Sequence, residues 1–337
     1  MRYALLFTAL VGLSFAFQPP ARAAEYKIIQ RLKAPDGGFD YATFDPVSRT
    51  VYMVRPGFTT TVDVKSGKVS QLASAGGDHI ALPIPGPQLL LVTQRRGVVR
   101  LVDKAHDKVV AEILAGKNPN SAVYDATTKM AYAMNKNGGD ITIIDPVQRK
   151  AAGTITVGGT LEFVVSDGRG MLFDNVKSAN QIVVIDAAQR RVVARFPLKD
   201  CQQPTGLAYV ADGKLLISAC SNGMAKVLHA DTGAEIASLA IGHGPDAVIY
   251  DPVRKLAFIP CGDDGALDIV SISTNANKVV QRLPTQEGTR TGTIDPETGR
   301  VYLMASKPSP AMAGKSDEED GARLKGSFEI LVVGQGG

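Results

Sequence analysis

Short apolar segments separated by polar turns recur along this chain, and their length and spacing predict β-strands rather than helices. In one representative stretch the apolar residues run from Ala122 to Tyr124, Met130 to Met134, Ile141 to Ile144 and Ala151 to Val157. Each run is bounded by Asp, Asn, Gly or Lys, as strands joined by tight turns are. The pattern predicts an all-β protein.

Two sequence features recur with one period. The first is an acidic turn after a short strand, centred on Asp45, Asp125, Asp167, Asp212, Asp251 and Asp295. Between the first two of these, Pro85-Gly86-Pro87 stands where another acidic turn is expected. Asp followed by Pro or Gly suits a tight turn, because Asp caps the local backbone while Pro presets φ and Gly tolerates positive φ.

The second feature is an apolar strand that ends in Asp and leads into a polar turn. It recurs at Asp63, Asp103, Asp145, Asp186 and Asp231, with Ser271 as a degenerate sixth copy. Both features return roughly every 40 to 45 residues, and four short strands in such a period are typical of a propeller blade. Seven units begin near Tyr41, Ile80, Ser121, Leu161, Thr205, Ala247 and Thr291.

The last unit contains only three strands, the third running from Phe328 to Val333. The segment Tyr26 to Leu32 resembles the outer strands of other units and is predicted to complete that blade. Such closure removes an open sheet edge. We therefore predict one seven-bladed β-propeller of four-stranded blades over residues 24–337. A sandwich or a two-domain β protein is the rival, but neither explains the repeat.

The N-terminus predicts export. Arg2 is followed by an apolar run from Tyr3 to Phe17 and by the small-residue pattern Ala21-Arg22-Ala23. This is the form of a signal peptide, here residues 1–23, cleaved after Ala23. The alternative is a membrane anchor, but the run is shorter than the roughly 20 residues that span a bilayer. The mature protein is expected in the periplasm or secreted.

Charge says little about partners. Loss of Arg2 and Arg22 with the leader reduces the formal charge of +4 by two, and the remaining basic residues are interspersed with acidic ones. Nucleic-acid binding usually leaves a stronger basic excess or a basic stripe. A polar insertion in the last unit, 307–326, contains Ser316 to Asp320 and is predicted to be a flexible flap.

The units resemble the YVTN-repeat β-propellers, in particular the YncE-like exported proteins. The resemblance is carried by Ala131-Tyr132-Ala133-Met134-Asn135, Gly138-Gly139, Ile141 to Asp145 and Thr154 to Gly158, and by a second copy from Leu172 to Asp186. It covers essentially the whole mature chain. It implies a periplasmic or secreted binding protein, and one branch of the family implies single-stranded nucleic-acid binding. Pro85-Gly86-Pro87 and the insertion 307–326 depart from the pattern.

The period also predicts where a ligand would bind. Counting back from the acidic turns places one polar residue where each inner strand begins, at Asp40, His79, Asn120, Glu162, Thr205, Asp246 and Arg290. These residues line the channel mouth on the face formed by inter-blade loops. A water-filled channel tolerates any polar residue there. Alternatively, Asp40, Glu162 and Asp246 hold a polar ligand or cation, oriented by His79 and Arg290.

Three cysteines, Cys201, Cys220 and Cys261, and His243 are expected on the same face. In an oxidising compartment a disulfide is favoured, most plausibly between Cys201 and Cys220, with Cys261 left as a buried thiol. Retention of all three as buried thiols is a second interpretation. The four side chains as ligands of zinc or copper(I) are a third, without a supporting ligand spacing.

These observations favour a non-enzymatic binding or scaffold propeller, monomeric, that recognises a ligand or protein partner at the loop face. The sequence contains no GxSxG, HExxH, Walker A or CxxCH motif. One alternative is a lactonase-like hydrolase whose divalent metal is held by Asp40, Glu162, Asp246 and His79. Single-stranded nucleic-acid binding is another, but it requires stacking aromatics, which the predicted loop positions lack. The ligand and any cofactor are not identified by the sequence.

Overall fold

A computed structural model describes residues 25–86, 88–274, 276–307, 309 and 323–336. The predicted signal peptide, residues 1–23, and most of the insertion 307–326 lie outside the described residues. Within the described ranges the chain forms seven four-stranded antiparallel sheets arranged as a seven-bladed β-propeller, as predicted.

The first four blades follow the chain. The opening strand is β1 (Tyr26–Lys33). Blade 1 contains β2 (Ala42–Asp45), β3 (Thr50–Arg55), β4 (Phe58–Asp63) and β5 (Val69–Leu72). Blade 2 contains β6 (Ala81–Ile84), β7 (Leu89–Gln94), β8 (Val98–Asp103) and β9 (Lys108–Leu114). Blade 3 contains β10 (Pro119–Asp125), β11 (Met130–Asn135), β12 (Asp140–Asp145) and β13 (Lys150–Thr156). Blade 4 contains β14 (Leu161–Ser166), β15 (Met171–Val176), β16 (Gln181–Asp186) and β17 (Arg191–Pro197).

The last three blades include the seam. Blade 5 contains β18 (Pro204–Val210), β19 (Leu215–Cys220), β20 (Met224–His229) and β21 (Glu235–Ala240). Blade 6 contains β22 (Ile249–Asp251), β23 (Leu256–Cys261), β24 (Ala266–Ser271) and β25 (Lys278–Pro284). Blade 7 contains β26 (Gly292–Asp295), β27 (Arg300–Ala305), β28 (Glu329–Gln335) and, as its outer strand, β1. The antiparallel pair β1–β28 runs from Tyr26 opposite Gln335 to Lys33 opposite Glu329, which confirms the predicted closure.

The core lies between the blades, because the inner and central strands bury both faces. In β11, Tyr132 and Met134 pack in the cluster shared with blade 4, whereas Ala131 and Ala133 pack in the cluster shared with blade 2. Strand side chains alternate between faces, so a strand buried on both sides reads as a continuous apolar run. Near the axis the inner strands approach closely: a Cβ added at Gly206 would lie 2.4 Å from the backbone of Ala247.

The connections lie on two faces of the ring. Loops that enter a blade and loops between its second and third strands lie on one side, which we call the loop face. Turns between the first and second strands, and between the third and fourth, lie on the other side, the turn face. Two 3-10 turns, Ala73–Ala75 and Lys177–Ala179, interrupt loops. Among the described residues, no helix has the length and apolar character needed to cross a membrane.

Candidate functional site

The seven residues predicted at the channel mouth lie in, or within three residues of, the inner strands, and most of them bond to a neighbouring blade. His79 Nδ1 lies 2.7 Å from Asp40 Oδ2, and Arg290 Nε lies 3.1 Å from Asp246 Oδ2. Asn120 donates to the carbonyl of Glu162 at 3.1 Å, and the Thr205 hydroxyl donates to the carbonyl of Pro245 at 2.5 Å. The polar ring therefore ties adjacent blades together.

Both nitrogens of the His79 ring are engaged. Nδ1 faces Asp40, and Nε2 lies 3.1 Å from Oδ1 of Asn118 at the entrance to blade 3. Burial alone lowers the pKa of His79, but the hydrogen bond and charge of Asp40 and the bond to Asn118 outweigh it, so the pKa is raised. A ring held at both nitrogens is a blade-to-blade link rather than a free base.

Tyr41 stands among the carboxylates of the mouth, and the sequence analysis did not single it out. Its hydroxyl lies 3.5 Å from Glu162 Oε1. Burial raises the pKa of Tyr41 well above its usual value, and the charges of Asp246, Glu162 and Asp40 raise it further. Carboxylates from blades 6, 4 and 1 thus lie close to one phenol. From the sequence, an aromatic residue at the start of a strand is predicted to be a core residue. Only the structure shows that Tyr41 lies beside the carboxylates of the channel mouth.

Glu162 has a buried carboxyl neighbour, Asp174, at the boundary of blade 4 with blade 3. Lys136 Nζ lies 3.1 Å from Glu162 Oε2, and Glu162 is 4% exposed. Asp174 is fully buried, and neither of its carboxylate oxygens has a well-formed hydrogen bond to a described residue. Burial raises the pKa of Asp174 well above its usual range and the charge of Glu162 raises it further, whereas the Glu162 amide opposes the shift.

Asp246 is a mouth carboxylate whose pKa is raised. Burial raises its pKa to about 7; Arg290 opposes the shift, and the charges of Asp40 and Glu162 increase it. Its side chain keeps 18% of its surface exposed, so a bound group can reach it. Because the pKa is near neutral, the net charge of the channel mouth changes between mildly acidic and neutral solution.

The three cysteines do not form a single cluster. Cys201 and Cys220 form a disulfide with a Cα–Cα distance of 5.4 Å, the pairing that the sequence analysis favoured. Cys261 is buried, and burial raises its thiol pKa, with a further contribution from Asp268 at 3.7 Å. His243 is exposed beside Asp264 on the loop entering blade 6. A disulfide sulfur is not a thiolate ligand, so the proposed zinc or copper site lacks two of its four ligands.

The metal-dependent alternative at the channel mouth also lacks the required geometry. Asp40, Glu162 and Asp246 act on the same phenol, yet nowhere in the described ranges do three His, Cys, Asp or Glu side chains come close enough to share a metal ion.

A second set of contacts, made by Arg55, holds the loop from Pro35 to Gly38 in place. The Arg55 guanidinium donates to the carbonyls of Pro35, Gly37 and Gly38 at 2.6 to 3.0 Å and lies 3.7 Å above the ring of Phe328. Burial lowers the pKa of Arg55 to about 10, which still leaves it charged at neutral pH. Several hydrogen bonds and a stacked ring offset the cost of burying one cation.

Comparison with known proteins adds information on the fold. No family model matches the chain, and no curated protein sequence matches it. A chain from a structure titled "Crystal Structure of Mitotic Checkpoint Complex" aligns with a TM-score of 0.74 and 14% identity, covering 98% of both chains. A chain from "Structure of U3-55K" aligns with a TM-score of 0.73 and 9% identity, covering 90% of this chain and 97% of that chain.

A third solved structure, "Kuenenia stuttgartiensis Hydrazine Synthase", aligns with a TM-score of 0.69 and 18% identity over 81% of this chain and 94% of that chain. At such identities the likeness concerns the fold alone, because one fold supports many functions. The chain shares the β-propeller fold with these proteins.

Proposed function

We propose that this protein is an exported, non-enzymatic binding propeller of the YVTN-repeat, YncE-like type, which recognises a ligand or protein partner at the loop face around the channel mouth. The proposal combines the predicted leader, the repeat and the properties of the mouth.

Polar atoms without a hydrogen-bond partner are concentrated at the mouth, and this observation carries the proposal. Among the described residues they include both oxygens of Asp174 and the hydroxyls of Thr289 and Thr291. A buried polar group without a partner costs about 1–3 kcal/mol, so such groups are normally satisfied by water or a ligand. Several of them in one place favour a polar ligand group that enters the channel mouth.

The titratable groups of the mouth favour binding over acid–base catalysis. His79 is held at both ring nitrogens, and the pKa of Tyr41 lies well above its usual value. Asp246 has a pKa of about 7 but pairs with Arg290. A catalytic base needs both a suitable pKa and an open position next to the substrate. Asp246 is therefore the residue at which a hydrolase function should be tested.

The disulfide Cys201–Cys220 supports export, because disulfides persist in oxidising compartments and are rare in a reducing cytosol. The titles of two similar structures name a checkpoint complex and the protein U3-55K, and that of the third names a synthase. A partner-binding role for this chain agrees with the first of these.

Position-specific crosslinking tests the binding face. Benzoylphenylalanine is placed at Gln202 or His243 on the loop face and, as matched controls, at Val47 or Val253 on the turn face. In extracts of cells that export the protein, we expect crosslinks from the loop-face positions alone, weakened by Asp246→Asn. Crosslinks from the turn-face controls alone would contradict the proposal.

Two further measurements test its other parts. N-terminal sequencing of the exported protein should begin at Ala24; a chain that keeps residues 1–23 would contradict export with cleavage. Hydrolysis of a lactone panel by the purified protein, abolished by Asp246→Asn, would replace the binding proposal by an enzymatic one.

A further inference from the structure

On the turn face, several inner strands end in a buried aspartate that is linked to the next blade, either directly or through an arginine. The four are Asp45, Asp125, Asp251 and Asp295, each at most 6% exposed. Asp295 of blade 7 accepts from Arg49 of blade 1 at 2.6 Å, and Asp125 of blade 3 accepts from Ser166 of blade 4 at 2.8 Å. Asp251 binds Arg254, which also reaches the carbonyl of Pro296 in blade 7. These bonds link neighbouring blades on the turn face at three of the seven junctions.

Blades 1 and 2 are joined by an ion pair of the same kind. Asp45 Oδ2 lies 2.6 Å from Nζ of Lys104, the first residue after β8. The Lys104 amide also donates to the carbonyl of Gln88, which ties the two turns of blade 2 to each other. Equivalent turn-to-turn bonds occur in four other blades, from Val64 to Arg49, Ala187 to Gly170, Ala230 to Lys214 and Ile272 to Lys255.

The junction of blades 2 and 3 lacks both features. β6 ends in Ile84 where Asp45 ends β2, and Pro146 stands after β12 where Lys104 stands after β8. Proline has no N–H, so blade 3 cannot form the turn-to-turn bond. Over the part of the chain that the structure describes, no side-chain hydrogen bond or ion pair joins the turns of these two blades.

A cleft of about 280 Å³ opens there, between Gln88, Leu89 and Asp103 of blade 2 and Pro146, Val147 and Arg149 of blade 3. Leu89 and Pro146 form a buried apolar floor, and Val147 is 78% exposed at the rim. The blades still share an apolar core deeper inside, so the gap is confined to the surface. Its volume is just below the roughly 300–1,000 Å³ of small-molecule pockets, which suits a single side chain better than a larger ligand.

The charges around the cleft are segregated. The exposed ones are basic, at Lys108, Lys129, Arg149 and Lys150. The nearby acidic residues point into their own or adjacent turns: Asp103 accepts from Ala105 and His106, Asp107 from Ala73 and Ser74, and Asp145 from Val147 and Gln148. Such capping leaves carboxylates less accessible than the surrounding cations. The rim is thus complementary to negative charge.

We propose that this cleft is a second docking site, on the face opposite the channel mouth, for a peptide segment of a partner that inserts one aliphatic side chain beside an acidic residue. The aliphatic group packs on Leu89, Pro146 and Val147, and the carboxylate binds Arg149. Hydrophobic anchoring in a small pocket provides affinity, while the flanking charge selects the partner. This site is independent of the function proposed for the loop face.

A peptide array tests the site with full-length, folded protein. Hexapeptides carry Leu, Val, Phe or Ala at the centre, flanked by Glu, Gln or Lys. We expect the strongest binding for Leu or Val flanked by Glu. Val147→Ser should weaken this binding about tenfold, because it removes one apolar contact between the peptide and the cleft. Arg149→Glu should reverse the flanking preference from Glu to Lys, an outcome that general misfolding cannot produce.

Matched controls separate the cleft from the rest of the turn face. Val253→Ser alters an exposed valine in an Asp-Pro-Val turn that joins the first and second strands of blade 6. Arg191→Glu alters an exposed basic residue of blade 4. Both should leave binding within about twofold, well under the tenfold effect. Binding insensitive to Val147→Ser and Arg149→Glu, no binding by any hexapeptide, or equal binding of an oligonucleotide with no need for an apolar group would each overturn the proposal.

Discussion

Aspartates on the two faces of this propeller are in opposite electrostatic situations. On the turn face, Asp45 is buried, yet hydrogen bonds from Lys104, Ser48 and the Val47 amide outweigh burial and lower its pKa. At the channel mouth, burial raises the pKa of Asp246 to about 7 although Arg290 lies beside it. The carboxylate of Asp45 is fully hydrogen-bonded within the protein, whereas the carboxylate of Asp246 can still accept a hydrogen bond from a ligand. The turn-face junction of blades 2 and 3 has neither such an aspartate nor the turn-to-turn bond in blade 3.

The largest expected effect concerns an inter-blade link. Arg49→Ala removes the charged partner of Asp295, whose side chain is fully buried, and should lower the free energy of unfolding by about 3 kcal/mol, since only the Glu297 amide and the Thr298 hydroxyl then stabilise the buried carboxylate. Arg149→Ala is the matched control, because both arginines adopt a positive φ, 55° and 54°. It should change stability by at most about 0.5 kcal/mol. Urea unfolding of both variants measures the difference; equal losses would refute the contrast between junctions.

The missing link can be transplanted. Ile84→Asp and Pro146→Lys recreate at blades 2 and 3 the pair formed by Asp45 and Lys104. Ile84→Asp alone should destabilise strongly, because it buries a charge. A double-mutant cycle should show that Pro146→Lys contributes about 1–2 kcal/mol more stability when combined with Ile84→Asp than when introduced alone. An additive result would mean that the junction geometry does not match that of blades 1 and 2.

A loss of stability with rising pH is expected from the channel mouth. The folded-state pKa of Asp246 is raised, so the folded state holds more protons and stability falls as pH rises from about 4 to about 7. Asp246→Asn should remove this component of the slope. Urea unfolding between these pH values measures it. An unchanged slope would show that Asp246 titrates normally.

The smallest effect has the opposite sign and belongs to the turn face. The folded-state pKa of Asp45 is lowered, so its contribution is present above about pH 4 and is lost as pH falls through the folded-state value. Asp45→Asn should therefore lose less stability than the wild type on acidification from pH 5. The comparison is best made by urea unfolding at moderate ionic strength. A steeper acid loss in the variant would contradict the assignment.

The sequence predicted the architecture because a propeller repeats one local pattern. The two periodic turns located the blades, and the leftover segment Tyr26 to Leu32 identified the closing strand. The same period placed the seven polar residues at one end of the channel. It could not reveal which of them pair, because pairing depends on how adjacent blades are rotated. Tyr41, Lys136 and Asp174 were missed for that reason.

The irregular second unit illustrates the same limit. Pro85-Gly86-Pro87 was recognised as a departure from the repeat, but its consequence depends on Pro146, in the next blade. Only the structure brings Gln88 and Leu89 next to Pro146 and shows the cleft that these residues line. The disulfide, in contrast, could be predicted from the number of cysteines and the expected oxidising compartment. The structure contains the favoured pairing.

The pairing of β1 with β28 also has a consequence for how the chain folds during synthesis. Tyr26 lies opposite Gln335, so β1 must wait until β28, about 300 residues later in the chain, has been made before it finds its partner. Blades 1 to 6 consist of contiguous segments and can form in sequence, but the ring cannot close before β28 emerges. Such a distant contact slows folding, and until it forms the edge of β1 remains open to other chains. The unpaired chain is therefore at risk of aggregation until β28 is available to close the ring.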